Sequence, residues 1–503
     1  MDIFRVSNRK NSKLKKPCQL FVISTFVIVM LAGNPFKLHS QISQTLFFMD
    51  RLPQSSLLNP AYQHAHSFHI GLSAISSFNV NAETSFVSFN DMFFKHSGQD
   101  SLISFLHPDA DTDDFISKLR KRNIVSTNLH LNLLSFGIRV DRHFFSFNIS
   151  ERASLRATLP GDLLLTALRG NEQFVGKTAD FSDIGADLNY FREFAAGYSF
   201  SVDEKLNVGG RAKLLFGKAN ISFSDTDITL YTDPENYNMR LKSDITMNFS
   251  MPVTLIKDQD GNISDVSPHF DQDDYNPLDF VFNTGNAGFA VDLGATYRII
   301  EPVTLYASIT DLGFISWKSD VYNFSVDGEY EFDGIDLSSA FDYADDSDPA
   351  GNLMDSLSNI FGISDSRNGY RRGLPARLFL GGSYDLHPLV SVGLLSRSEI
   401  YQDRLEQAVT LSANSSIGRW LSASVSYSMM NNSYNNFGMG ISLRGGGFQF
   451  YVISDNLASS FMPGRTRSAN IWFGLNLVFG HRKSKYSEAS ELRDFDVPIS
   501  DPS

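Results

Sequence analysis

Hydrophobic and polar residues alternate one for one along much of this chain. Leu421–Ser428 reads LSASVSYS, in which Leu421, Ala423, Val425 and Tyr427 take turns with Ser422, Ser424, Ser426 and Ser428. A period of two sends the apolar set to one face of a strand and the hydroxyls to the other. From Gly288 to Ile299 the same rule sets Phe289, Val291, Leu293, Ala295, Tyr297 and Ile299 against Gly288, Ala290, Asp292, Gly294, Thr296 and Arg298. At Ile471–Gly480, Ile471, Phe473, Leu475, Leu477 and Phe479 oppose Trp472, Gly474, Asn476, Val478 and Gly480. One apolar face and one face of small and polar residues fits a membrane β-barrel, with lipid outside and a wetter lumen inside. A soluble sandwich also alternates.

Taken in order, Phe68–Ala82 and Thr84–Phe94 predict a first strand pair, and Asp114–Lys121 a short helix, acidic at its start and basic at its end. Ile124–Val140 and His143–Leu155 predict a hairpin around Asp141-Arg142, and Pro160–Arg169 a helix. Ala186–Val202 and Lys205–Ser222 flank the turn Asp203-Glu204, followed by strands at Ile228–Asp233 and Tyr237–Val253. Lys257–Pro277 is a long acidic loop. Gly288–Ile299 and Val303–Trp317 join through Ile300-Glu301-Pro302, and Val321–Phe332 extends a hairpin above the membrane. Asp336–Arg371 is a second insertion, with a helix expected at Asn352–Phe361. Strands then come quickly: Leu374–Leu386, Leu389–Tyr401, Leu405–Ser416, Trp420–Met430, Asn436–Arg444, Gly447–Ser454 and Ala469–Gly480. The fold class read from this is all-β: a transmembrane antiparallel barrel of about 14 strands, with short turns on one side and long extracellular loops on the other.

Composition supports the membrane reading. The 503 residues include 43 Phe and 18 Tyr, suited to strands and interfacial girdles. No window approaches the roughly 18 consecutive apolar residues of a spanning helix. Residues 1–40 read as a signal peptide: Arg5, Arg9, Lys10, Lys13, Lys15 and Lys16 precede the apolar run Leu20–Gly33, and a cut is expected after Ser40. Export to the outer membrane follows, with outer-membrane lipid as a partner. Cys18 lies ahead of the apolar run, so the mature chain has no disulfide or thiolate metal site. Cleavage removes seven basic residues and one acidic one, leaving 36 Lys and Arg against 55 Asp and Glu, a net charge of −19. That balance disfavours nucleic acid. The mature chain divides into an N-terminal segment at 41–66, a barrel at 67–480 and a polar tail at 481–503.

Gln41–Gln63 has no clean period, and Pro53 and Pro60 interrupt it. Irregular backbone cannot face lipid, so in a barrel it lies in the lumen or the periplasm. Inside the lumen it closes the pore, and Leu46, Phe47, Phe48, Leu57 and Leu58 line an apolar pocket. Arg211, Lys213, Arg298 and Arg377 fall on the lumenal phase of their strands. Arg211 or Arg298 could then meet a carboxylate head, or pair with lumenal acids such as Asp292. Asn59-Pro60-Ala61 forms a turn, since Pro fixes φ and Asn bonds nearby backbone. His64, His66 and His69 lack cysteine or carboxylate companions and read as lumenal rather than metal-binding. Asp258–Asn262 departs from a calcium loop, with Ile263 and His269 where Gly and Glu belong. Asp342–Asp348 reads as a solvated loop. No G-x-S-x-G or H-E-x-x-H occurs, so neither catalysis nor a cofactor is expected.

The stretch LPQSSLLNPAYQ, with Asn59-Pro60-Ala61, resembles the N-terminal NPA motif of FadL-type long-chain fatty-acid transporters and of type IX secretion barrels. VGGRAKLLFG at Val208–Gly217 and SITDLGFISW at Ser308–Trp317 resemble strands of a domain-of-unknown-function family of FadL-like barrels in Gram-negative envelopes. The resemblance implies a 14-stranded barrel with an inward-folded N-terminal plug, whose hydrophobic ligands leave through a lateral opening at a kinked strand. The acidic loops and the residues beyond Phe479 depart from the fatty-acid transporters. One fold hosts several functions. Uptake or binding of a hydrophobic small molecule such as a fatty acid is the leading expectation. A non-transporting barrel that docks an envelope protein or serves secretion is the alternative, and a barrel enzyme the lesser one.

Overall fold

The structure, a computed structural model, describes residues 44–71, 76–95, 102–105, 107, 111–257, 263–271, 276–332, 364–401, 404–430 and 433–480. The signal peptide, the Asp258–Asn262 and Asp342–Asp348 stretches, the helix expected at Asn352–Phe361 and the tail from His481 lie outside them.

Fourteen antiparallel strands form a closed wall among the described residues. The first wall strand is built from two pieces, β1 (Phe68–Gly71) and β2 (Phe78–Thr84). The wall continues through β3 (Arg122–Val140), β4 (His143–Pro160), β5 (Gly185–Ser201) and β6 (Leu206–Thr232). Above the membrane, β6 pairs with β7 (Met239–Ser250). The wall resumes with β8 (Asn286–Ile300) and β9 (Val303–Trp317), and β10 (Val321–Phe332) turns upward to pair with β7. It closes through β11 (Ala376–His387), β12 (Val390–Tyr401), β13 (Arg404–Ile417), β14 (Leu421–Met430), β15 (Ser433–Gly445), β16 (Phe448–Ser454) and β17 (Ser468–Phe479). Phe479 pairs with Phe68, which shuts the ring and leaves no free edge.

Turn chemistry sets the short ends. Asp141, at φ 52°, makes the left-handed bend of a two-residue hairpin. The Asp203 carboxylate accepts the N–H groups of Lys205 and Leu206, both at 2.7 Å. Several expectations need correction. Thr84–Phe94 is not a wall strand, because the consecutive Phe86 and Val87 are both buried in a cluster with Phe115 outside the wall. The early helix is α1 (Thr112–Ser117), displaced toward the N-terminus because Asp111 caps it by accepting the Asp114 N–H. Lys205–Ser222 and Ile228–Asp233 are one strand of 27 residues, β6, whose upper half leaves the wall to carry the β7–β10 blade.

The phase of the wall follows the sequence pattern. Val425 is 56% exposed while Ser422, Ser424, Ser426 and Ser428 are buried. Phe289, Leu293 and Tyr297 point outward, and Asp292 and Thr296 inward. An apolar exterior around a polar interior inverts a soluble protein and suits a lipid surround. One outward patch breaks the rule. Glu151 and Arg192, on the outward phase of β4 and β5, pair with each other, and Lys218 sits beside them at a bulge in β6. The short helix α2 (Pro277–Phe282) lies over these charges. Arg192 donates to Val281 O at 2.9 Å, and Lys218 donates to Phe280 O at 2.8 Å and Asn283 O at 3.0 Å.

The outward phase of Val425 is directly testable. Val425→Arg should destabilise the barrel by about 2–4 kcal/mol in urea titrations in lipid, as expected for a cation near the bilayer midplane. Val425→Leu should leave the midpoint unchanged.

Candidate functional site: the plugged lumen

The N-terminal segment runs inside the wall as a series of turns with one 3-10 stretch at Pro53–Leu57. Its upper end is held by one carboxylate. Asp455 accepts the N–H groups of Gln44 at 3.2 Å and Thr45 at 3.0 Å, and the Thr45 hydroxyl at 2.6 Å. Arg51 donates to Gly418 O in the short turn between β13 and β14. Gln54 and Asn476 exchange amide hydrogen bonds at 2.8 and 3.0 Å. Arg139 donates to Gln63 Oε1 at 2.5 Å and also to His64 O, where the segment enters β1.

Packing holds the middle. Leu46, Phe47, Met49, Leu52 and Leu58 are buried against Phe379, Leu395, Tyr451, Ile453 and Trp472 of the wall. The Phe47 ring stacks on Phe379 at 5.7 Å and meets Tyr306 and Tyr62 edge-on, both at 5.9 Å. Each fully buried Leu or Phe stabilises the seat by about 1.5–3 kcal/mol.

The Asn59-Pro60-Ala61 turn has its own notch. The Asn59 side chain accepts the Ala61 N–H at 3.0 Å and donates to Ala295 O at 3.4 Å. Gly209 and Gly294 are cross-strand partners. A Cβ on Gly209 would lie 2.2 Å from Pro60 O, and one on Gly294 would lie 2.2 Å from Asn59 Oδ1. Two adjacent glycines thus make the space in which this turn sits close against the wall.

The rest of the lumen is charged. Asp311 stands at φ 61° in a bulge of β9, its N–H bonded to Asp292 Oδ1 at 2.7 Å. That bend turns its carboxylate toward three cations: Arg152 at 2.7 Å, Lys213 at 2.6 Å and Arg377 at 2.5 Å. Glu193 also meets Arg152, Asp292 meets Arg211 and Lys213, and Glu399 meets Arg377. Between this network and the plug lies a chamber of about 110 Å³, bordered by Leu57, Leu58, Asn79, Asn128, His130 and Trp472 among others. That is room for several waters or a small chemical group.

The sequence-predicted residues thus separate into groups. Leu46 and Phe47 fill the lumen rather than line a pocket, and Phe48 packs partly buried beside them. Leu57, Leu58 and Arg211 border the chamber. Arg211 is occupied: it pairs with Asp292 at 3.1 Å and donates to Ser56 O at 2.7 Å. Arg298 keeps the lumenal phase but sits exposed beside the turn into β9, away from the chamber, because β8 ends there. His64, His66 and His69 pack on one another and on Phe144, with His66 Nε2 and His69 Nδ1 3.0 Å apart. The Gly209–Gly294 notch, the Asp455 clamp and the Asp311 bulge escaped sequence reading. Only SITDLG, a charge two residues before a glycine within a strand, hints at the last.

Asn tolerates the left-handed backbone at position 311, so Asp311→Asn removes the charge without straining the bulge. It leaves three buried cations short of a partner and should cost about 3–5 kcal/mol in lipid-based unfolding.

The model of a protein family described as "Family of unknown function (DUF5723)" matches residues 60–455. No curated protein matches the sequence. Among solved structures, the chain is similar to a Pseudomonas aeruginosa FadL homologue, at 10% identity and TM-score 0.38, covering 89% of this chain and 100% of that one. It is also similar to the Ralstonia pickettii toluene transporter TbuX, at 10% identity and TM-score 0.37, covering 86% and 95%. With the family match spanning most of its length, the chain belongs to the family of unknown function DUF5723.

Proposed function

We propose that this chain is an exported outer-membrane barrel that binds and passes a small apolar or amphiphilic molecule, and that its N-terminal segment is a displaceable closure. One observation carries the reading. The apolar patch of the lumenal wall, Phe379, Leu395, Tyr451, Ile453 and Trp472, is the surface on which the plug's Leu46, Phe47, Leu52 and Leu58 are seated. The plug therefore occupies the place an apolar ligand would take, and the two compete. A hydrocarbon or an acyl chain such as that of a fatty acid fits this surface; the charged half of the lumen does not suit it. The role is transport rather than catalysis, and it calls on no cofactor.

The docking-barrel alternative draws on a different feature, the β7–β10 blade that rises above the wall.

Planar-bilayer recordings separate the two. Deleting Gln41–Gln54 should leave the wall folded, judged by heat-modifiable gel mobility, and raise conductance several-fold. Phe47→Asp should act in the same direction by burying a charge under Phe379. Binding of the fluorescent apolar probe N-phenyl-1-naphthylamine should strengthen in both variants. Unchanged conductance together with no probe binding would remove the transport reading and leave the docking barrel standing.

A further inference from the structure

We propose that the chamber beside the plug takes the neutral, hydrogen-bonding head of an amphiphile, and discriminates against a carboxylate head. The inference rests on the reading above, that the lumen receives a ligand whose tail replaces the plug's apolar side chains.

Strand register builds the site. Asn189, Ser154, Asn128, Asn81 and Asn470 lie side by side across β5, β4, β3, β2 and β17. The next row toward the periplasm is Phe191, Arg152, His130, Asn79 and Trp472 on the same five strands. A belt of four amides and one hydroxyl thus runs above a row ended by two aromatic rings. Trp472 belongs also to the apolar cluster under the plug, so the polar and apolar halves of the lumen meet at its ring.

Charge decides the class of head. Each of the four cations that border the chamber already faces a carboxylate: Arg152 faces Glu193 and Asp311, Lys213 faces Asp292 and Asp311, Arg211 faces Asp292, and Arg377 faces Asp311 and Glu399. A carboxylate head would have to displace one of these acids and leave it buried and unpaired. Among the groups that line the chamber, the unmet hydrogen-bonding capacity lies on a neutral one, His130, whose Nε2 has no hydrogen-bond partner. In the belt beside the chamber, neither side-chain polar atom of Asn81 nor the Oδ1 of Asn470 has one. Buried polar atoms are ordinarily satisfied. Hydroxyl or amide groups on a ligand supply both donors and acceptors to such a belt; a bare hydrocarbon supplies neither.

The test uses the full mature chain in nanodiscs and tritiated 1-monopalmitoylglycerol, palmitate and hexadecane in a scintillation-proximity assay. The monoglyceride should bind about tenfold tighter than palmitate. His130→Leu should abolish that preference without weakening palmitate. Asn128→Lys, which adds an unpaired cation to the belt, should reverse it, with gel mobility confirming that both variants fold. Palmitate binding as tightly as the monoglyceride, or a preference that survives both substitutions, overturns the head-group inference alone. Failure of all three probes to bind overturns the lumenal-ligand reading and this inference with it.

Discussion

Everything inside this wall must satisfy its own hydrogen bonds and charges, because the outside is hydrocarbon and offers none. The strand period of two then leaves little choice. Each apolar side chain sent to lipid sends a neighbour inward, and the inward set is rich in Ser, Asn, Asp, Glu, Lys and Arg. Many of the charged ones are paired at short range. Asp311 alone gathers Arg152, Lys213 and Arg377 from three other strands. The cluster ties β4, β6, β9 and β11 across the lumen and makes that side of the barrel a rigid, charge-neutral surface.

The plug solves the opposite half of the same problem. Its backbone is irregular, so its polar groups cannot be met by a regular ladder; they are met by its own turns, as where Phe47 N–H donates to Gln44 O and Met49 N–H to Leu46 O, and by wall side chains. Asp455 takes the N–H groups at its start, Ser308 donates to Leu58 O at 2.7 Å, and Arg139 takes the carbonyl at its exit. The apolar side chains it carries cover the wall patch around Phe379 and Trp472. Hydrogen bonds of this kind contribute modestly in net terms. The apolar seat is the larger contribution, and it is also the one that another apolar molecule can reproduce.

Wall and plug differed in how far the sequence disclosed them. Where a strand alternates strictly, as at Leu421–Ser428, its boundaries, phase and lipid face follow from the side chains, since any slip would turn serines to hydrocarbon. The burial of the N-terminal segment was legible for a related reason: apolar residues without a period have nowhere else to go. The pairing of Arg211 with Asp292 is one of the two alternatives their shared lumenal phase allows. The features that make the site are local departures from period two. The extra residue that turns Asp311 inward, the facing of Gly209 by Gly294, and the end of β8 that strands Arg298 outside the chamber depend on register between strands distant in sequence. Phe86 and Val87 misled for the converse reason, imitating a strand while packing as a cluster outside the wall.

The two halves of the lumen have different capacities to change. The charged half cannot loosen by small steps, since separating Asp311 from any one of its cations leaves buried charge exposed to low dielectric. The plug half rests instead on many apolar side-chain contacts, each of them individually weak. Its polar tethers run along its whole length, from Asp455 at Gln44 and Thr45, through Asn476 at Gln54 and Arg211 at Ser56, to Ser308 at Leu58 and Arg139 at Gln63, with the apolar contacts of Leu46 to Leu58 between them. Leu57 and Leu58 are where the plug borders the chamber, so the apolar seat and the charged wall meet along that line.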